Sequence, residues 1–94
     1  MKISDFQQLI RRTYHERDAR RGIDKNMLWF VEEVGELAEG VRKGDRGEIE
    51  AEMADVLAWL STIASVSGID LERAALAKYG KGCPRCAAIP CCCP

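Results

Sequence analysis

The sequence carries almost no net charge: 14 Lys+Arg stand against 15 Asp+Glu, a formal balance of −1. A protein that grips nucleic-acid polymers normally shows a basic excess, so no such polymer is expected as a partner. No uncharged apolar run approaches the roughly 18–20 residues of a membrane span, and no membrane partner is expected. The opening MKISDFQQLI has acid and amide side chains where a signal peptide has a continuous apolar stretch, so a cytoplasmic setting is expected. Aromatic residues make up only 6% and prolines number three. Sustained period-two alternation and hairpin signals are missing, which argues against strands. Also missing are a Walker loop, a glycine-rich dinucleotide fingerprint and a serine nucleophile elbow. The one histidine, His15, does not lie three residues after a glutamate. The Glu-x-x-His pairs of a di-iron carboxylate bundle are therefore not available. On a charged stretch of the first helix, His15 reads as a surface or interface residue and not as a catalytic base.

What the sequence does have is helical periodicity. Ile3, Phe6, Leu9, Ile10 and Tyr14 recur at three- and four-residue steps. Ser4 followed by Gln7 has capping-box spacing, and this helix should fade near Arg20–Gly22. A second helix is expected from about Asp24, as N-cap, to about Lys43, with Gly44 as its stop. Its apolar stripe is Met27, Phe30/Val31, Val34, Leu37/Ala38 and Val41. A third should follow Asp45, with Glu48 at capping-box spacing, and carry Ile49, Met53, Val56/Leu57, Leu60 and Ile63 to a stop at Gly68. Asp70 then caps a short fourth helix, Leu71 to about Tyr79. The fold class is all-α: four helices around a central antiparallel hairpin. At 94 residues the chain is one domain's worth, with residues 1–80 helical and residues 81–94 a cysteine-rich tail. A monomer this small buries only roughly 60–65% of its unfolded surface, so completion of the bundle by self-association is expected.

The acidic residues of helices two and three are spaced to meet. Glu33 and Glu36 share one helical face, as do Glu52 and Asp55. In an antiparallel hairpin, facing residues have numbers with a constant total. Glu36 with Glu52, and Glu33 with Asp55, both total 88, which centres the turn on Gly44. The four carboxylates then face one another roughly 12–17 Å from the turn, with no Lys or Arg at matching positions. Such a cluster repels itself, and burial raises its pKa values unless a cation neutralises it. All-oxygen ligands suit a hard cation, Mg²⁺ or Mn²⁺. A solvated charged face is the plain alternative. Trp29 with Trp59, and Gly40 with Glu48, continue the same total. The tryptophans either wall the acidic site and stack on a ligand ring or serve as core aromatics, and Gly40 permits close helix approach.

The string Glu32-Glu33-Val34-Gly35-Glu36, followed by Glu52-Met53-Ala54-Asp55, resembles the EExxE and ExxD motifs of the MazG-like nucleotide pyrophosphohydrolases. The resemblance extends through LWFVEEVGELAEGVRKG, ADVLAWL, GIDLERA and the upstream ERDARRG, over roughly residues 4–80. It implies an all-α dimer or tetramer that uses Mg²⁺ to hydrolyse nucleoside triphosphates to monophosphate and pyrophosphate, in keeping with nucleotide-pool housecleaning. By position, Glu33, Glu36, Glu52 and Asp55 match the family's metal ligands. Glu32 is a candidate for orienting or deprotonating the attacking water, with a surface glutamate as the alternative. Lys78, Tyr79, Lys81 and Arg85 match a family Lys-Tyr-x-Lys-Asn stretch with a later Arg, and Gly82 stands where asparagine is common. Lys78, Lys81, Arg21 and Lys25 are the phosphate-binding candidates, each with an ordinary surface charge as the alternative.

All five cysteines fall in the last twelve residues. Cys83, Cys86, Cys91 and Cys93 have the number and spacing for a tetrahedral zinc site, with Cys92 left over. The alternative is an irregular tail of free thiols, and a cytosolic setting disfavours disulfides. Two further function classes stay open beside the enzyme: a non-catalytic helical module whose acidic pocket binds metal or nucleotide, and a regulatory partner in a toxin–antitoxin or stress system.

Overall fold

The computed structural model covers residues 1–94 and contains four helices: α1 (Ile3–Arg21), α2 (Ile23–Lys43), α3 (Arg46–Val66) and α4 (Leu71–Tyr79). The chain is all-helical, as its periodicity requires. Asp45 caps α3 by accepting the Glu48 N–H at 3.1 Å, and Asp70 caps α4 by accepting the Arg73 N–H at 3.0 Å. Each satisfies an otherwise unpartnered donor of a first helical turn. Gly44 ends α2 in the left-handed region at φ 71°, which a residue with a Cβ adopts only at a cost.

Two helix starts differ from expectation. Helix α1 begins at Ile3 with Lys2 at the cap, and the Asp5 carboxylate accepts the Lys2 N–H at 2.9 Å. Ser4 and Gln7 form no capping box because both are drawn into tertiary contacts. Gln7 Nε2 donates to Ser65 Oγ at 3.2 Å and to the Ile69 carbonyl at 2.8 Å, while its Oε1 accepts the Leu71 N–H at 2.9 Å. The Ser4 N–H reaches Glu72 at 3.3 Å. These bonds tie the start of α1 to the α3–α4 corner, where the two helices meet at 101°. Helix α2 begins at Ile23 with Gly22 at its cap, two residues before the expected cap Asp24. Gly22 alone joins α1 to α2, at φ 86° and ψ 162°, a conformation essentially confined to glycine. Asp24 falls in the first turn, where its charge complements the helix dipole.

Helix α3 is the centre of the packing, with α2 on one side and α1 on the other, and α4 rests against α1. The α2–α3 hairpin closes at Gly40, where an added Cβ would lie 3.4 Å from the Glu48 side chain. The buried set is small and largely polar: Ala64, Gly40, Ser61, Thr62, Asp18 and Asn26. Asp18 accepts from Thr62 Oγ1 at 2.9 Å and from Arg21 at 3.0 Å. Asn26 donates to the Asp18 carbonyl at 2.9 Å and accepts from Arg21 at 2.9 Å. This network clamps the α1–Gly22–α2 reversal onto α3.

Much of the apolar stripe of α2 is uncovered. Phe30 and Leu37 are half-buried, whereas Met27, Leu28, Val31, Val34 and Val41 are exposed. The radius of gyration is 15.3 Å, against about 12 Å for a compact domain of this length. An extended hairpin with an apolar flank explains both. No helix is by itself long and apolar enough to cross a membrane.

Candidate metal centre

The hairpin brings three of the four expected carboxylates together. Glu33, Glu36 and Glu52 each place an oxygen within 4.8 Å of the others. Helix spacing sets Glu33 and Glu36 on one face of α2, and the Gly44 turn sets Glu52 across from them. Asp55, one turn further along α3, stands outside that group, yet near enough for its charge to act on Glu33. Glu33 and Glu52 are half-buried; Glu36 and Asp55 are exposed. No lysine or arginine pairs with any of the four.

The electrostatics follow from that crowding. Burial, then the Glu52 carboxyl, then the Glu36 and Asp55 charges push the Glu33 carboxyl up from 4.5 to about 7. Burial is also the main cause that raises Glu52. Glu33 Oε2 and Glu52 Oε2 are shut off from solvent and have no hydrogen-bond partner. A carboxylate oxygen has no proton to offer, so the two cannot satisfy each other, whereas a shared proton or a cation satisfies both at once. An all-oxygen, net-negative donor set of this kind fits Mg²⁺ or Mn²⁺.

Beside the cluster lies a cleft of about 250 Å³, whose walls include Asp55, Trp59, Thr62, Asp18, Arg21 and Tyr14. Trp29 and Trp59 stack on each other, centroids 6.3 Å apart and planes 16° from parallel, one turn beyond the acids as the pairing register requires. Trp29 remains 47% exposed, so the pair is not simply core. Arg21 spans this cleft: its guanidinium lies 5.1 Å from the Trp59 ring centre while bonded to Asp18 and Asn26. Of the phosphate-binding candidates it alone lines the cleft that Asp55 also lines. Lys25 and Lys81 are exposed and without an ion pair, and Lys78, also exposed, lies over the Tyr79 ring at 5.7 Å. Glu32 is exposed and its carboxylate makes no hydrogen bond. His15 is half-buried, with Nδ1 unpartnered, on a stretch of α1 rich in arginine and away from the carboxylates. A second cleft of about 260 Å³ opens at the α1–α3–α4 corner around Ser4, Arg11 and Asp70, and it lacks a carboxylate cluster.

Sequence reasoning missed Asp18, Asn26 and Thr62. One signal was present: Ile10, Tyr14 and Asp18 are spaced by four, so the apolar stripe of α1 runs into an acid. A charge at a core position of that stripe needs a buried partner, and Thr62 and Arg21 supply it.

The tail forms its own cluster. The sulfurs of Cys83, Cys86, Cys91 and Cys93 lie within 4.8 Å of one another, and Cys92 is outside. All five cysteines are unbridged. A hydrogen bond from the Cys92 N–H leads the effects that lower the Cys86 thiol to about 6.

The model of one protein family, described as the MazG nucleotide pyrophosphohydrolase domain, matches residues 21–87. The match takes in α2, α3, α4 and the first cysteine pair, and α1 precedes it. No curated protein matches the chain.

Proposed function

The chain belongs to the MazG nucleotide pyrophosphohydrolase family, and we propose that it hydrolyses nucleoside triphosphates, ribo or deoxy, to monophosphate and pyrophosphate. The role would be nucleotide-pool housecleaning in the cytoplasm. The observation that supports this best is the meeting of Glu33, Glu36 and Glu52 with two orphaned oxygens and no basic partner. Glu33, Glu36 and Glu52, with Asp55 at the rim, would hold one or more Mg²⁺ or Mn²⁺ ions. Bound there, the ion supplies charge neutralisation at the phosphate oxygens and a lowered pKa for a water nucleophile.

The chain's own side chains account for the rest of the reading. Arg21 is held by Asp18 and Asn26 in the cleft that Asp55 also lines, so it can meet a phosphate without first losing side-chain freedom. Trp29, stacked on Trp59 and open on one side, offers a face for a base. Glu32 sits next to the ligands on the exposed side of α2, where it can orient a water or take its proton. Lys78, Lys81 and Lys25 are exposed and without an ion pair, and are proposed to meet the distal phosphates. The exposed stripe of α2 supports a homodimer or homotetramer in which a second copy covers Leu28, Val31 and Val41 and completes the substrate pocket.

The test is incubation with a panel of NTPs and dNTPs with and without Mg²⁺, reading pyrophosphate and monophosphate. Release is expected with Mg²⁺ and not in EDTA, and Glu36→Gln should lower it at least about 100-fold, as loss of a charge-stabilising group at a transition state does. Unchanged output from Glu36→Gln would remove the carboxylates from the chemistry. Binding of nucleotide without turnover would favour a sensing module.

A further inference from the structure

The acidic centre leaves the second cluster of the molecule without a task. That cluster has a specific shape. Cys91 Sγ lies 3.5 Å from Cys83 Sγ, Cys83 Sγ is 3.7 Å from Cys93 Sγ, and Cys86 Sγ is 3.9 Å from Cys91 Sγ. These distances exceed a disulfide bond of about 2.05 Å by far. They do match the edge of a tetrahedron of sulfurs around zinc, which is about 3.8 Å for Zn–S bonds of about 2.3 Å.

The backbone is bent to produce this shape. The Ala87 N–H donates to the Cys83 carbonyl at 2.7 Å, and Ala87 takes φ 56°, so Cys83-Pro84-Arg85-Cys86 is a tight turn with both sulfurs on one side. The Cys83 N–H returns to the Ala88 carbonyl at 3.3 Å, which folds the last residues back across the turn. Gly82 makes room for that return: a Cβ there would lie 2.6 Å from the Ile89 side chain. Two backbone donors point at sulfur, the Cys92 N–H at Cys86 Sγ and the Cys93 N–H at Cys91 Sγ, each at 3.4 Å. N–H donors aimed at sulfur stabilise thiolates and orient metal ligands. Cys92 therefore contributes its amide and keeps its thiol outside.

We infer that Cys83, Cys86, Cys91 and Cys93 form a four-coordinate structural zinc site that closes the C-terminal tail into a rigid knuckle, with Cys92 free. Four thiolates fill the tetrahedron and leave no position for water or substrate, so the site is structural, not catalytic. It is independent of the carboxylate centre in both ligand type and metal, since soft sulfur selects zinc where hard oxygen selects magnesium.

The test uses the full chain, expressed with zinc and purified without chelator. Elemental analysis should find one zinc per chain in the parent and in Cys92→Ser, and less than a tenth of that in Cys83→Ser and Cys91→Ser. Helical circular dichroism should persist in the serine variants, which separates loss of metal from loss of fold. Exchange of zinc for Co²⁺ should give the visible bands of a tetrahedral tetrathiolate in both parent and Cys92→Ser. In the zinc-loaded parent one thiol should react rapidly with a disulfide reagent, and five after the metal is stripped. Zinc well below one per chain, iron in its place, or loss of metal from Cys92→Ser equal to that from Cys91→Ser would overturn the assignment.

Discussion

Glu33→Gln is expected to make the metal-free protein more stable while removing its response to metal. The Glu33 carboxyl stands at about 7 in the folded chain instead of 4.5, because burial and three neighbouring carboxyls oppose its charge. With the folded value above the unfolded one, the folded chain holds a proton that the unfolded chain has already released. Stability is therefore fully present below about pH 4.5 and is lost as pH rises through about 7. At about 1.4 kcal/mol per pH unit the rise sets an upper limit of about 3 kcal/mol, and solvent screening of a half-buried group reduces this to about 1 kcal/mol. Glutamine keeps the shape, cannot ionise, and can donate to the orphaned Glu52 Oε2. In EDTA at about pH 8 the variant should melt about 4–8 °C above the parent, the shift that about 1 kcal/mol gives in a domain of this size. Near pH 4.5 the two should coincide. With millimolar Mg²⁺ at about pH 8 the order should reverse, since only the parent can gain from the ion. Thermal melts followed by circular dichroism at both pH values read all three. A variant that melts at or below the parent in EDTA at pH 8 would refute the reasoning that the cluster is an electrostatic strain relieved by cations.

Three further outcomes follow from the same geometry. Mg²⁺ at about 100 times its dissociation constant should stabilise the parent by about 2.7 kcal/mol, a rise of about 10–20 °C, and Glu36→Gln should show little of it in a melt titrated with metal. Thr62→Val leaves one Asp18 oxygen buried without its donor and should cost about 1–3 kcal/mol in a urea or thermal denaturation, whereas an unchanged midpoint would mean that the α1–α3 clamp contributes nothing. Gly22→Ala puts a Cβ on a residue at φ 86° and ψ 162° and should cost about 1–3 kcal/mol by the same assay; no loss would show that the α1–α2 reversal relaxes freely.

The elements and their pairing were readable from local chemistry. Period, Asp caps and Gly stops located α3 and α4 closely, and a constant residue-number total placed Glu33, Glu36 and Glu52 together and Trp29 over Trp59. Such inference works because a two-residue turn between helices leaves one register. It was less reliable where a side chain bonds far along the chain. Gln7 had the spacing of a cap, yet bonds to Ser65, Ile69 and Leu71, some sixty residues away, because those groups would otherwise lack partners at the α3–α4 corner. Asp24 had the character of a cap, but the tight reversal at Gly22 moves the cap two residues earlier. Asp55 had the right register, yet it lies outside the group that Glu33, Glu36 and Glu52 form.

The sequence alone determined the helical class, the antiparallel hairpin, the acidic register and the two separate donor sets, carboxylate and thiol. Each follows from spacing along one chain segment or across one short turn. Tertiary structure decided which carboxylates lose water, that Arg21 is held over Trp59 by Asp18 and Asn26, and that four of five sulfurs close a tetrahedron. Burial, shared hydrogen-bond partners and backbone return are properties of residues distant in sequence, and only the folded chain brings those residues within reach.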